Sequence, residues 1–88
     1  LYVPNTFTPN DDGVNDVFEI QGENINEFQL WIFNRWGEEV YYTNVITDYW
    51  DGYYKGKLAQ IDGYSWEIRY SDYNNTQHKK VGFICVAK

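Results

Sequence analysis

The sequence is poor in cysteine and in basic residues and has no long apolar run, and each absence excludes a class of protein. Cys85 is the single cysteine, so neither an internal disulfide nor a cysteine-rich metal site is expected. A lone thiol of this kind is expected in the interior, as a small buried residue. No run of about 18 apolar residues is present, so the sequence predicts no membrane-spanning helix.

A starting methionine and a charged, then apolar, leader are also absent. Secretory signal peptides combine those two leader features. We therefore expect residues 1–88 to be a piece of a longer precursor, with any signal peptide outside this piece.

Positive charge is scarce. Seven Lys and Arg residues stand against 13 Asp and Glu residues, which gives a formal net charge of −6. The one run of basic residues is Lys79-Lys80. Phosphate backbones and anionic membrane surfaces attract clustered positive charge. The composition therefore excludes nucleic acid and anionic lipid as expected partners.

What the sequence does contain is aromatic and apolar side chains. Hydrophobic residues make up 43% of the 88 residues and aromatic residues 20%, which is too apolar for a disordered tail. A chain of this length forms one domain with a small core, because it buries only roughly 60–65% of its unfolded surface. We expect a single domain that folds by itself.

The pattern of the chain favours strands over helices, because glycine and asparagine recur every few residues and apolar residues rarely follow helical spacing. About seven short, mainly antiparallel strands predict an all-β fold, a single small immunoglobulin-like β-sandwich. The predicted strands are Leu1–Val3, Val17–Gln21, Glu27–Asn34, Glu39–Thr43, Tyr64–Tyr70 and Val81–Ala87, with a weaker one near Tyr49–Trp50.

Two kinds of strand are distinguishable. Tyr64–Tyr70 alternates rings with polar residues, which is typical of a strand with one buried face. The runs at 28–33 and 81–86 are apolar on both faces, which predicts interior strands covered on both sides. Turns are expected at Asp51-Gly52, Asp62-Gly63 and Asn74-Asn75.

The segment 5–19 concentrates acidic and amide side chains around Gly13. Its spacing fits the calcium-loop template, in which oxygen ligands alternate around a glycine. The predicted calcium ligands are Thr8, Asn10, Asp12, Asp16 and Glu19. The alternative is that the same side chains accept hydrogen bonds from their own backbone and order the loop without an ion. The segment after the loop is a predicted strand, so the second helix of an EF-hand is missing.

Four blocks of the sequence resemble a known family. They are FTPNDDGVND at 7–16, LWIFNRWGEEVY with its hairpin glycine, the group of Trp50-Asp51-Gly52 with Asp62-Gly63-Tyr64, and the closing Gly82-Phe83-Ile84. In this order they resemble the gliding-motility-associated C-terminal domain, the type B sorting domain of type IX secretion in Bacteroidetes. The departures are Asp11, where the family usually has glycine, and residues 59–61, where it often has proline.

The resemblance implies that residues 1–88 are a C-terminal sorting domain of a larger exported protein. It also implies a non-catalytic role, in which the domain directs that protein across the outer membrane to the cell surface or the medium. The implied partners are type IX translocon components and a PorP/SprF-like outer-membrane protein.

Asn34, Arg35, Trp36 and Gly37 form the tip of a predicted hairpin and are candidate partner contacts, because tryptophan and arginine dominate interface hot spots. In the alternative, Trp36 folds back over the core and Arg35 pairs with a nearby glutamate. His78 and Cys85 are not expected to form a nucleophile and base pair.

A second class of function is a carbohydrate-binding module, and a third is an adhesin-type structural domain. Sugar binding would require a row of exposed, coplanar rings. Candidates for that row are Tyr41, Tyr49, Tyr53 and Tyr54. Buried or scattered rings would count against it.

Overall fold

The computed structural model describes residues 1–4, 6–7, 17–58 and 62–86, and these residues form strands and turns. Within these ranges the strands are β1 (Thr6–Phe7), β2 (Phe18–Glu19), β3 (Ile25–Phe33), β4 (Glu39–Thr43), β5 (Tyr49–Trp50), β6 (Tyr53–Tyr54), β7 (Lys57–Leu58), β8 (Asp62–Asp72) and β9 (Gln77–Val86). Among the described residues, no helix is long and apolar enough to cross a membrane.

The main layer is a five-stranded sheet in the order β1-β9-β8-β3-β4. Its pairs are antiparallel except for β1 and β9, which run parallel with Thr6 opposite Cys85. The pairs β2-β5 and β6-β7 form two small two-stranded sheets. The predicted all-β sandwich is therefore confirmed.

The core lies between the five-stranded sheet and the β2-β5 pair. Phe18 and Trp50 come from that pair, and Leu30, Ile32 and Ile68 come from the inner face of the sheet. The ring of Trp50 meets the ring of Tyr64 edge-on, with centroids 5.4 Å apart. Each of these fully buried side chains contributes about 1.5–3 kcal/mol through removal from water.

The alternation predicted for residues 64–70 is confirmed in β8. Tyr64, Trp66 and Ile68 are buried on the inner face, whereas Arg69 is exposed on the outer face. Gly82 of β9 lies opposite Trp66, and a Cβ at this position would lie 2.5 Å from the indole ring. Only glycine allows the ring to lie over β9 at this point.

The prediction that residues 81–86 are covered on both faces is wrong. β9 is hydrogen-bonded between β1 and β8, yet Val81 is 67% exposed and Phe83 78% exposed. Cys85 shares this outer face and is exposed, not buried as expected. Among the described residues, the second layer packs only on the inner face, so the apolar run has one uncovered side.

Other differences concern strand ends. Asp62-Gly63 is not a turn, because both residues pair with β9 at the start of β8. Leu1–Val3 contributes a single bridge, from Tyr2 to Gln21, instead of a strand. The hairpin of β6 and β7 was not predicted.

Candidate partner-contact site

The turn between β3 and β4 is built around Asn34. Its backbone N–H donates to the Glu38 carbonyl at 2.9 Å, and the Gly37 N–H donates back to the Asn34 carbonyl at 3.0 Å. The side-chain Oδ1 of Asn34 accepts the N–H groups of Trp36 at 3.0 Å and Glu38 at 2.9 Å. Gly37 has φ of 80°, a left-handed conformation that glycine adopts without steric cost.

These bonds explain which residues of the turn are structural. Asparagine suits the first position because its short side chain reaches the backbone N–H groups that follow it. The Nδ2 group of Asn34 also donates to Glu38 Oε1 at 2.9 Å. None of these hydrogen bonds uses the side chain of Arg35 or Trp36.

Trp36 lies in solvent. Its side chain is 73% exposed, so it does not fold back over the core. The guanidinium carbon of Arg35 lies 4.9 Å from the centroid of the indole ring, a cation–π contact that contributes about 0.5–1 kcal/mol at exposed sites. The contact holds the two side chains together as one exposed surface. Its role in binding a partner stays a prediction.

A second turn, between β8 and β9, has the same framework. Asp72 donates its N–H to the Thr76 carbonyl at 3.2 Å, and Asn75 donates back to the Asp72 carbonyl at 3.0 Å. Asp72 Oδ1 accepts the N–H groups of Asn74 at 2.9 Å and Thr76 at 3.0 Å. Asn75 takes the left-handed position, with φ of 61°.

The electrostatics of this second turn differ because Asp72 is ionisable. The backbone N–H of Thr76, followed by the His78 side chain, lowers the pKa of the Asp72 carboxyl below its usual value. His78 Nε2 lies 3.2 Å from Asp72 Oδ2, and its ring stacks on Tyr70 with centroids 4.8 Å apart. At the tip, Tyr73 is 68% exposed.

The predicted calcium ligands fall mostly outside the described residues. This is the case for Thr8, Asn10, Asp12 and Asp16, whereas Glu19 is exposed in β2, opposite Tyr49. Within the described ranges, no group of three or more His, Cys, Asp or Glu side chains is placed to hold a metal ion. The calcium site stays a prediction.

Cys85 and His78 do not lie together as a nucleophile and base. Both lie in β9, seven positions apart, which separates them by roughly 23 Å at the rise of a strand. Cys85 pairs with Gly63 and His78 pairs with Tyr70, at opposite ends of β8.

The tyrosines proposed for sugar stacking do not share one degree of exposure. Tyr49 and Tyr53 are exposed, at 54% and 51%, whereas Tyr41 and Tyr54 pack partly against the core. The Tyr41 hydroxyl donates to the Tyr49 carbonyl at 3.1 Å. Burial, followed by the charge of Asp48, raises the pKa of that hydroxyl. This arrangement counts against a carbohydrate-binding row.

Comparison with known proteins gives one positive result. No curated protein matches the chain. A family model described as the CHU_C type IX secretion signal domain matches residues 1–86, which span both turns and every strand described above. The match agrees with the resemblance carried by the Asn34–Gly37 hairpin and the segment 7–16. The chain belongs to the CHU_C family of type IX secretion signal domains.

Proposed function

We propose that residues 1–88 act as a non-catalytic sorting domain of a larger exported protein. The domain directs that protein through the type IX translocon and across the outer membrane, to the cell surface or the medium. Its contact with a PorP/SprF-like outer-membrane protein is made by the turn Asn34–Gly37. The observation that carries this proposal is the exposure of Trp36 at 73% on a turn that other residues hold in place.

The turn has the properties of a binding anchor. Tryptophan and arginine are enriched among residues that dominate interface energies. Because Asn34 already fixes the backbone of the turn, little conformational freedom is lost when a partner binds there. Burial of the Trp36 ring in a partner's cavity would then contribute hydrophobic free energy, reduced by the cost of association.

The absence of catalysis is supported by the spacing of the reactive side chains. Cys85 and His78 are separated along β9, and nucleophilic catalysis needs the two groups within hydrogen-bond distance. A domain whose function is recognition needs only an ordered surface, which both turns provide.

The test is a fusion of residues 1–88 to the C-terminus of a foreign reporter that has a signal peptide, expressed in a host with type IX secretion. We expect the reporter at the cell surface or in the medium. With Trp36→Ala we expect about tenfold less reporter outside the cell, as for loss of an interface hot spot. The measurement is reporter activity in the periplasmic, surface and medium fractions.

Tyr73→Ala is the matched control. Tyr73 is an aromatic residue of similar exposure, 68% against 73%, and it lies on the twin turn at the opposite end of the sheet. We expect this variant to be exported normally, and thermal unfolding of both variants to match that of the parent domain.

Each result has a clear meaning. Retention of the unsubstituted fusion in the periplasm contradicts the sorting role. Normal export of the Trp36→Ala fusion leaves the sorting role intact and contradicts the assignment of the contact to this turn. An equal loss of export with Tyr73→Ala contradicts the claim that the partner contact is specific to the turn Asn34–Gly37.

A further inference from the structure

Among the described residues, β3 has no strand partner on one side along about half of its length. On one side it pairs with β8 from Ile25 to Phe33. On the other side it pairs with β4 only from Leu30 to Phe33, because β4 ends at Thr43. No described residue pairs with the segment 25–29 on that side. A strand edge with unpaired backbone groups is a template for another extended chain.

The direction of the backbone groups follows from the hairpin. Asn34 donates its N–H to Glu38, toward β4. Backbone groups point to alternate sides along a strand, so Phe28 directs its N–H and C=O to the same side, beyond the end of β4. Its side chain is buried in the core, which keeps these backbone groups in a fixed position.

A groove of about 550 Å³ borders the segment 25–29. Asn44 and Ile46 line it from the connection that follows β4, and Arg69, Tyr70 and Gln77 line it from β8 and β9, on the other side of β3. The lining includes apolar parts from Phe28, Ile46 and Tyr70, all packed with the core. It also includes polar groups on the outer face of the sheet, from Gln29 and Arg69. The lining therefore combines apolar side chains with polar and charged ones, Glu27 among them.

We propose that this groove binds an extended peptide segment of another protein, which adds to the sheet as a strand beside β3. The segment alternates uncharged polar residues, directed to Gln29, with small apolar residues, directed to Phe28 and Ile46. A segment with acidic residues is disfavoured, because Glu27 lines the groove and the domain carries a net charge of −6. Main-chain hydrogen bonds supply affinity, and the contacts between the alternating side chains of the segment and the lining of the groove supply specificity.

The charge of the domain argues against a second copy as the occupant. Two copies joined edge to edge by a two-fold axis would bring their Glu27 side chains near one another. Like charges across a strand pair are destabilising, and each copy carries a net charge of −6. A partner without this charge avoids both costs.

The groove is separate from the proposed sorting contact. It lies along the end of β3 that is farther from Asn34–Gly37, beside the strand positions that pair with Asp72 and Ser71. The proposal therefore does not depend on the role of Trp36.

Amide hydrogen exchange of the 88-residue chain tests the proposal directly. The probe is a seven-residue peptide with blocked ends that alternates threonine and valine. In its absence we expect the Phe28 amide to exchange faster than that of Leu30, which has β4 beside it. At saturating peptide we expect exchange at Phe28 to slow by about tenfold, and a peptide with proline at its centre to have no effect.

Two variants make the test specific. Asn44→Arg places a long charged side chain in the groove, and we expect about tenfold weaker peptide binding, because an added charge at an edge opposes pairing. Thr47→Arg is the control, since Thr47 is exposed in the same connection but does not line the groove. Circular dichroism checks that both variants fold.

Three outcomes overturn the proposal. One is a Phe28 amide as protected as that of Leu30 without peptide, which would mean that the chain covers its own edge. Another is a dimer in sedimentation equilibrium in which Phe28 is protected, which would make a second copy the occupant. The third is peptide binding that leaves exchange at Phe28 unchanged, or that Asn44→Arg and Thr47→Arg affect equally.

Discussion

The turns at the two ends of the sheet share one hydrogen-bond framework but differ in what they expose. Asn34 and Asp72 each accept two backbone N–H groups through a side-chain oxygen. In both turns the residue three positions later, Gly37 or Asn75, has positive φ. The framework is therefore a general way of closing a hairpin in this fold, and it has no functional specificity of its own.

The difference lies in the tips and in the charge. The first turn exposes Trp36 with Arg35 stacked on it, whereas the second exposes Tyr73. The first uses a neutral amide as acceptor, and the second uses a carboxylate beside His78. A binding role fits the first turn, and a response to acid fits the second.

The largest effect on stability is expected at the left-handed position of the first turn. Gly37→Val places a β-branched residue at φ of 80°, and we expect a loss of about 2 kcal/mol in the free energy of unfolding. Gly37→Asn is the control, because the twin turn has asparagine at this position. We expect it to cost only a few tenths of a kcal/mol. Urea denaturation measures both, and equal losses would show that the two turns are not equivalent.

A smaller effect is expected when the acceptor of the first turn is removed. Asn34→Ala leaves the N–H groups of Trp36 and Glu38 without their side-chain partner, and we expect a loss of about 1 kcal/mol. Asn34→Asp combined with Glu38→Gln keeps an acceptor, as in the second turn, without bringing two carboxylates together at the position of the Asn34–Glu38 hydrogen bond. This variant should be nearly neutral at about pH 7. If the alanine and aspartate variants unfold at the same urea concentration, the side-chain hydrogen bonds do not stabilise the turn.

The smallest effect is the pH dependence of the second turn. Because the pKa of folded Asp72 lies below the usual value of 3.8, ionised Asp72 favours the folded state at pH values above 3.8. That contribution is lost as the pH falls through the lowered pKa. We expect the Tm of Asp72→Asn to fall less than that of the parent between about pH 5 and pH 2.

High salt should reduce only the part of this difference that comes from the charge of His78, since the main cause of the lowered Asp72 pKa is the hydrogen bond from the Thr76 N–H. The reciprocal variant, Asn34→Asp combined with Glu38→Gln, introduces a carboxylate into the first turn without a second one beside it and should increase the loss of Tm in acid. A loss identical in the parent and both variants would show that neither position titrates differently on folding.

Much of the fold could be predicted because its strands follow simple patterns. The alternation in Tyr64–Tyr70 identified β8 and its buried face, and Gly37 identified the hairpin that joins β3 to β4. At Val81 and Phe83 the sequence does not distinguish a strand face covered by a second layer from one exposed to solvent, because a continuous apolar run is compatible with both. Exposure of this kind depends on where the second layer ends, which is a property of the whole fold.

The hairpin of β6 and β7 shows a different limit. Its turn residues Lys55 and Gly56 both have positive φ, 53° and 78°, which is the geometry of a tight two-residue hairpin turn. Asparagine or glycine usually marks the first of these positions. Because Lys55 stands at the first position, the sequence did not indicate a turn, although Gly56 occupies the expected second position.

The candidate site was predicted in part. The turn at Asn34–Gly37 followed from its composition, but the position of Trp36 did not, because the same ring can cover the core or enter solvent. The structural role of Asn34 becomes clear only by comparison with Asp72. Each of the two residues lies three positions before a residue with positive φ. The end of β4 at Thr43 was predicted and is confirmed, but the groove beside Phe28 also depends on the register of β3 against β4, which no local pattern indicates.

The placement of β9 has a consequence for when the domain can fold. β9 lies between β1 and β8, and it joins Thr6 to Cys85, near the two ends of the described chain. Contacts so distant in sequence require closure of a long loop and slow the folding reaction. A ribosome-bound or partly translocated chain that lacks β9 cannot complete the five-stranded sheet. The domain therefore folds after synthesis of its last strand, and the order of events is set by topology, not by local propensity.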